Sequence, residues 1–94
     1  MPEHEKFTKQ MEEQLKHFKE KIDETKTKAE TRGQAFIKGY EQDLEKLESK
    51  YELARYKLTL LSKGGKSAWS ELRTGFENAF HDLKDAVGKA KEKF

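Results

Sequence analysis

Few side chains in this sequence could do chemistry. His4, His17 and His81 are its three histidines, and it has no cysteine. A di-iron bundle draws ligands from Glu-x-x-His repeats. Here Gln14 stands three residues before His17 and Asn78 three before His81, so that spacing is missing. Glu13 and Glu20 flank His17 at i−4 and i+3, which on a helix gives a weak metal site at most. The simpler reading is a surface imidazole beside two carboxylates, and His81 beside Asp82 and Asp85 reads the same way. Ser62, Ser67 and Ser70 have no base placed to activate them. Gly64-Gly65-Lys66-Ser67 has the look of the tail of a phosphate loop. The first glycine of G-x-x-x-x-G-K-S would fall at Leu60, however, and no strand pattern precedes it. The sequence therefore leads us to expect no enzyme, no metal, no cofactor and no small-molecule substrate.

Composition narrows the classes further. The 94 residues hold 20 Lys+Arg and 18 Asp+Glu, and 40% of them are charged against 33% apolar. That length allows one domain. No apolar run approaches the ~20 residues of a membrane span. The opening MPEHEKFTKQMEE has no apolar h-region, so no secretory signal is expected. Residues 1–35 carry eight basic and eight acidic side chains, and 36–62 five of each. A reader of nucleic acid shows a basic stripe along its phosphate track. None is present, so no sequence-specific nucleic-acid partner is expected. The mixed charges instead suit solvated helix faces with weak i,i+4 pairs. Lys89, Lys91 and Lys93 are a local excess that a helix C-terminus accommodates. Together with the missing cysteines this points to a cytoplasmic protein.

The apolar residues fall at helical spacing. Phe7, Met11, Leu15, Phe18 and Ile22 form one stripe, which continues weakly through Thr25 and Ala29. Phe36, Tyr40, Leu44, Leu47, Tyr51, Ala54, Leu58 and Leu61 form another. Steps of three and four mark one buried helix face, and nothing alternates with period two. The fold class is therefore all-α. Gly64 and Gly65 form the strongest break, where a left-handed glycine can end a helix and Ser67 can cap the next. One long helix over about 3–62, a turn at 63–66 and a shorter helix over about 67–93 follow. Arg32-Gly33 is a weaker break. A glycine inside a helix costs only ~1 kcal/mol, and the cluster of Gly, Pro, Asn and Asp typical of a loop is missing. A continuous first helix is the preferred reading, and the eleven-residue step from Ala29 to Tyr40 reads as a stutter. The alternative is a monomeric three-helix bundle of 3–31, 34–62 and 67–93.

The last segment repeats itself. AWSELRTGFEN at 68–78 aligns without gaps on AFHDLKDAVGK at 79–89. Eleven residues make three helical turns, so both copies present the same face: Trp69, Leu72, Phe76, Phe80, Leu83 and Val87. This pattern, behind a long charged helix ending LEKLESKYELARYKLTLLSKGGKSA, resembles a family of small bacterial coiled-coil proteins labelled stress-response proteins. The resemblance implies a cytoplasmic helical protein associated with stress and brings no catalytic residues.

A helix over 3–62 would be about 90 Å long and the second about 40 Å. The second can cover only the 36–61 half. Phe7, Met11, Leu15, Phe18 and Ile22 would stay exposed, and an apolar stripe of that length is an interface. The expectation is a homo-oligomer, a dimer or tetramer, assembled through the 7–22 stripe with the 67–93 helix packed back. The competing function is a membrane-surface or client-shielding helix that inserts Trp69, Phe76 and Phe80, although Glu71, Glu77, Asp82 and Asp85 dilute the positive charge such a helix needs. Disorder would suit the mean hydropathy of −1.12, but disordered chains are poor in aromatics, and ten sit here.

Overall fold

The computed structural model describes residues 2–64 and 66–93. Three α-helices account for nearly all of them: α1 (Pro2–Thr31), α2 (Gln34–Lys63) and α3 (Trp69–Lys93), with a 3-10 turn at Lys66–Ala68 leading into α3. α2 runs antiparallel to the other two, and the three pack along their lengths into a rod of 49 × 18 × 18 Å. A 30-residue helix spans about 45 Å, so the rod is one helix long. Its radius of gyration is 15.2 Å, against about 12 Å for a compact domain of this length.

The continuous helix over 3–62 is therefore corrected to a hairpin. Gly33 has φ 98 and ψ 172, a region that essentially only glycine occupies. α1 tightens as it ends: the Arg32 amide donates to the Ala29 carbonyl at 3.1 Å and the Gly33 amide to that of Glu30 at 3.2 Å. The Thr31 hydroxyl donates to the Lys28 carbonyl at 2.7 Å, and the Ile37 amide reaches back to the Gly33 carbonyl to open α2. Last-turn carbonyls of α1 thus find donors without a long loop. The apparent stutter between Ala29 and Tyr40 is this turn.

With the hairpin closed, α1 spends its stripe inside the chain. Leu15, Ile22 and Ala29 are buried, together with Leu47, Tyr51, Ala54, Leu58 and Leu61 of α2 and Phe76, Ala79, Leu83, Val87 and Ala90 of α3. Phe7, Met11, Phe18, Trp69, Leu72 and Phe80 are partly buried against this core. The exposed 7–22 interface is thus corrected as well, because α3 reaches α1 once α1 lies beside it. Rings join the two parallel helices: Phe7 meets Trp69 and Phe76 edge-on at 6.0 and 6.1 Å, and Phe18 meets Phe80 at 5.4 Å. Thr8 and Thr25 are the buried polar residues, and each hydroxyl donates to the carbonyl four residues earlier in its own helix.

The other end of the α2 stripe departs from expectation. Phe36, Tyr40 and Leu44 are half-buried and lie outside the core cluster. Phe36 and Tyr40 pack on each other at 4.7 Å, and the Arg32 guanidinium covers Phe36 at 4.9 Å. At the second turn, Gly64 is extended (φ −70, ψ 149) rather than left-handed. A Cβ there would run into Leu72 Cδ1 and lie 3.2 Å from the Leu60 carbonyl oxygen. α3 thus comes close at this position, and a side chain there would have to displace the end of Leu72. Gly65 lies outside the described residues. Ser67 sits inside the 3-10 turn, and α3 begins two residues beyond it.

Candidate interaction surface

The chemistry-bearing side chains are scattered by this fold. His4, near the start of α1, stacks on the Trp69 indole at 3.7 Å and 9°. His17 and His81 are exposed on α1 and α3. Among the described residues no group of three or more His, Cys, Asp or Glu gathers where a metal could bind. Ser62 donates its hydroxyl to the Thr59 carbonyl at 2.8 Å, a contact within its own helix.

Charge is organised mainly as ties between helices. Lys26 of α1 pairs with Glu48 of α2. Lys50 and Asp43 of α2 pair with Asp82 and Lys93 of α3 at 2.7 and 3.1 Å. Exposed pairs of this kind are worth ~0.2–1 kcal/mol each. The α2–α3 furrow beneath the last two, about 370 Å³, has a floor of Leu47, Ala86 and Ala90 between walls of mixed sign. Where α1 and α3 end side by side, Lys21 and Lys28 approach Lys91 around a cleft of about 30 Å³. The neighbouring Lys21 ammonium lowers the Lys91 pKa most, with desolvation and Lys28 adding to it, and Glu24 opposes them. Lys28 and Lys91 stand in the last turns of their helices, where cations are favoured.

The outward face of α2 is different. Leu53, Tyr56 and Leu60 keep 47%, 60% and 38% of their surface exposed. With Ser49 they form a row at steps of four, three and four, on the side opposite the core row of Leu47, Tyr51, Ala54, Leu58 and Leu61. Glu45, Glu48 and Glu52 line a shallow hollow with Ser49, Leu53 and Tyr56. Along the same helix the charge changes sign: 41–52 carries five acids against two bases, and 53–63 three bases and no acid. That order complements the α2 dipole. A single stripe through Leu47, Tyr51, Ala54, Leu58 and Leu61 gives Leu53, Tyr56 and Leu60 no role. The signal was a second three-four row interleaved with the first, hidden because a single stripe already accounted for the helix.

Of the residues expected to pack, Leu47, Tyr51, Leu58, Leu61, Trp69, Leu72, Phe76, Phe80, Leu83 and Val87 do meet in or against the core. Among the described residues no helix is long and apolar enough to cross a membrane. No protein-family model, curated protein or solved structure matches the chain.

Proposed function

We propose that this chain acts by binding rather than by catalysis: the three-helix bundle holds the outward face of α2 as a docking surface for another helix. The observation that carries this reading is the Leu53, Tyr56 and Leu60 row, left exposed while the other large apolar side chains described are buried or half-buried. Its three-four spacing is what an amphipathic partner helix reads. The self-association expected of α1 moves in this reading to α2. A stress-associated role in the cytoplasm belongs to the same proposal and is supported only by the resemblance at Ala68-Trp69-x-x-Leu72 and Ala79-Phe80-x-x-Leu83. Insertion of the α3 rings into a membrane surface is a poorer fit, since Phe76 is fully buried and Trp69 is stacked on His4 and met edge-on by Phe7.

Site-specific photo-crosslinking in the producing cells tests the proposal. A benzophenone side chain replaces Tyr56 in one variant and His17, exposed on α1, in a control. The expected result is a discrete adduct from position 56 and none from position 17. No adduct from either, or the same smear from both, would reject the docking surface.

A further inference from the structure

We infer that the partner of the α2 face is the same face of a second copy of this chain, laid antiparallel about a two-fold axis at the level of residues 54–55. The inference rests on the reading of α2 as a docking surface and adds the occupant and its direction. The first argument is charge. Glu45 and Glu52 of one helix come near Lys63 and Lys57 of an antiparallel copy, whereas a parallel copy would set each of these four charges beside its own counterpart. Isologous pairing requires a surface complementary to itself under a two-fold rotation, and these four charges contribute to it.

The second argument is register. With the axis at 54–55, Leu53 lies level with Tyr56 of the second copy, and Ser49 with its Leu60. The apolar row of each helix then covers that of the other. Glu45 comes within one residue's rise of Lys63 of the second copy. Glu45, Glu52 and Lys63 take part in none of the ion pairs within the chain among its described residues, so they are available to the rim. Like-charged residues directly opposed would repel; within α2 this register sets one such pair level, Lys46 and Lys63, against Glu52 level with Lys57 and Glu45 one residue from Lys63.

The third argument is size. One helix face with three apolar residues at its centre falls below the ~1,200 Å² of a standard stable interface. The dimer is therefore a weak one, populated at micromolar to millimolar concentration.

Sedimentation equilibrium of the purified full chain from about 10 µM to about 1 mM reads this directly. Wild type should fit a monomer–dimer equilibrium. Tyr56→Lys should raise the dissociation constant at least tenfold with an unchanged helical circular-dichroism spectrum. Glu45→Lys and Lys63→Glu should each weaken the dimer alone. Mixed in equal amounts they should recover it, because the mixed pair restores both Glu–Lys contacts. A monomer throughout the range overturns the inference, as does a dimer indifferent to Tyr56→Lys. Failure of the mixture to recover overturns the antiparallel register. A crosslink from position 56 to a chain of another mass, with a monomeric purified protein, would reject the second copy while leaving the docking surface standing.

Discussion

Gly33→Ala should separate backbone strain from packing more cleanly than any other substitution in this chain. Nothing lies within 4 Å of a Cβ built at position 33, so no contact is gained or crowded. The whole effect comes from φ 98 and ψ 172, which an alanine adopts at a cost of about 1–3 kcal/mol. The same methyl would stabilise an unbroken helix through this point by about 1 kcal/mol. The balance between the hairpin and a straight α1–α2 helix thus moves by about 2–4 kcal/mol towards the straight form. In that form the 7–22 stripe loses its own α3, and the low-cost way to rebury it is exchange of α1 with a second chain. We expect Gly33→Ala to melt lower, by roughly 4–8 °C for each kcal/mol lost, and to show a longer, exchanged dimer by small-angle scattering at high concentration. Gly39→Ala is the control. It lies within α2, also with nothing within 4 Å, and should melt slightly higher by the helix propensity alone. If Gly33→Ala melts at or above wild type, as Gly39→Ala should, the account of the hairpin turn is wrong.

Other outcomes follow from the same structure. Phe76→Ala, at 0% exposure, should cost about 3–5 kcal/mol in chemical denaturation; Trp69→Ala, half-buried at the end of the rod, should cost less, and the reverse order would count against the assigned core. Leu15→Lys places a charge where Leu15 is 3% exposed and should lose at least about 3 kcal/mol of fold stability; a variant that melts like wild type would return the 7–22 stripe to the surface. Gly64→Ala pushes on the end of Leu72 and should cost under about 1 kcal/mol, since that end can give way and φ −70 suits alanine; with Leu72→Ala it should cost less than the two separate losses added together, and strict additivity would remove the contact as the cause. The Lys91 ammonium is held below its ordinary pKa, chiefly by Lys21. The folded chain therefore releases that proton before the unfolded chain does, and stability from this site rises with pH across the alkaline window between the two values. Lys91→Glu, placed among Lys21 and Lys28 beside Glu24, should remove that rise and raise the melting temperature at neutral pH; an unchanged profile would mean the ammonium groups avoid one another in solution.

The helices and their inner faces were legible because burial in a narrow bundle imposes one period. Leu47, Tyr51, Ala54, Leu58 and Leu61 in α2, and Leu72, Phe76, Phe80, Leu83 and Val87 in α3, repeat at three and four residues and meet in or against the core. The eleven-residue repeat of α3 held in the same way: Leu83 and Val87 of the second copy are buried as Phe76 of the first is. The turn at Arg32-Gly33 was harder to read. A lone glycine costs a helix only about 1 kcal/mol, and the local sequence around it lacks other breakers. What decides between hairpin and straight helix is the burial of Leu15 and Ile22, together with the contacts of Phe7 and Phe18 with Phe76 and Phe80 far along the chain.

One misplaced turn changed the role assigned to a whole stripe. With 3–62 straight, Phe7, Met11, Leu15, Phe18 and Ile22 had to be an interface, since a 25-residue α3 reaches only half of a 60-residue helix. With the chain folded at Gly33, α1, α2 and α3 come to nearly one length, and the same five residues complete the intramolecular core. The surface left for association is then the one feature a single-stripe reading hides. In a bundle helix the inner row carries the strongest apolar signal, and an outer row such as Leu53, Tyr56 and Leu60 shares its period with only a rotation between them. Rotation is invisible until the inner row is assigned. The charge order along α2 belongs to the helix as a whole, where it complements the dipole, and it bears on the outer row only through Glu45, Glu52, Lys57 and Lys63, whose signs the proposed antiparallel copy would match.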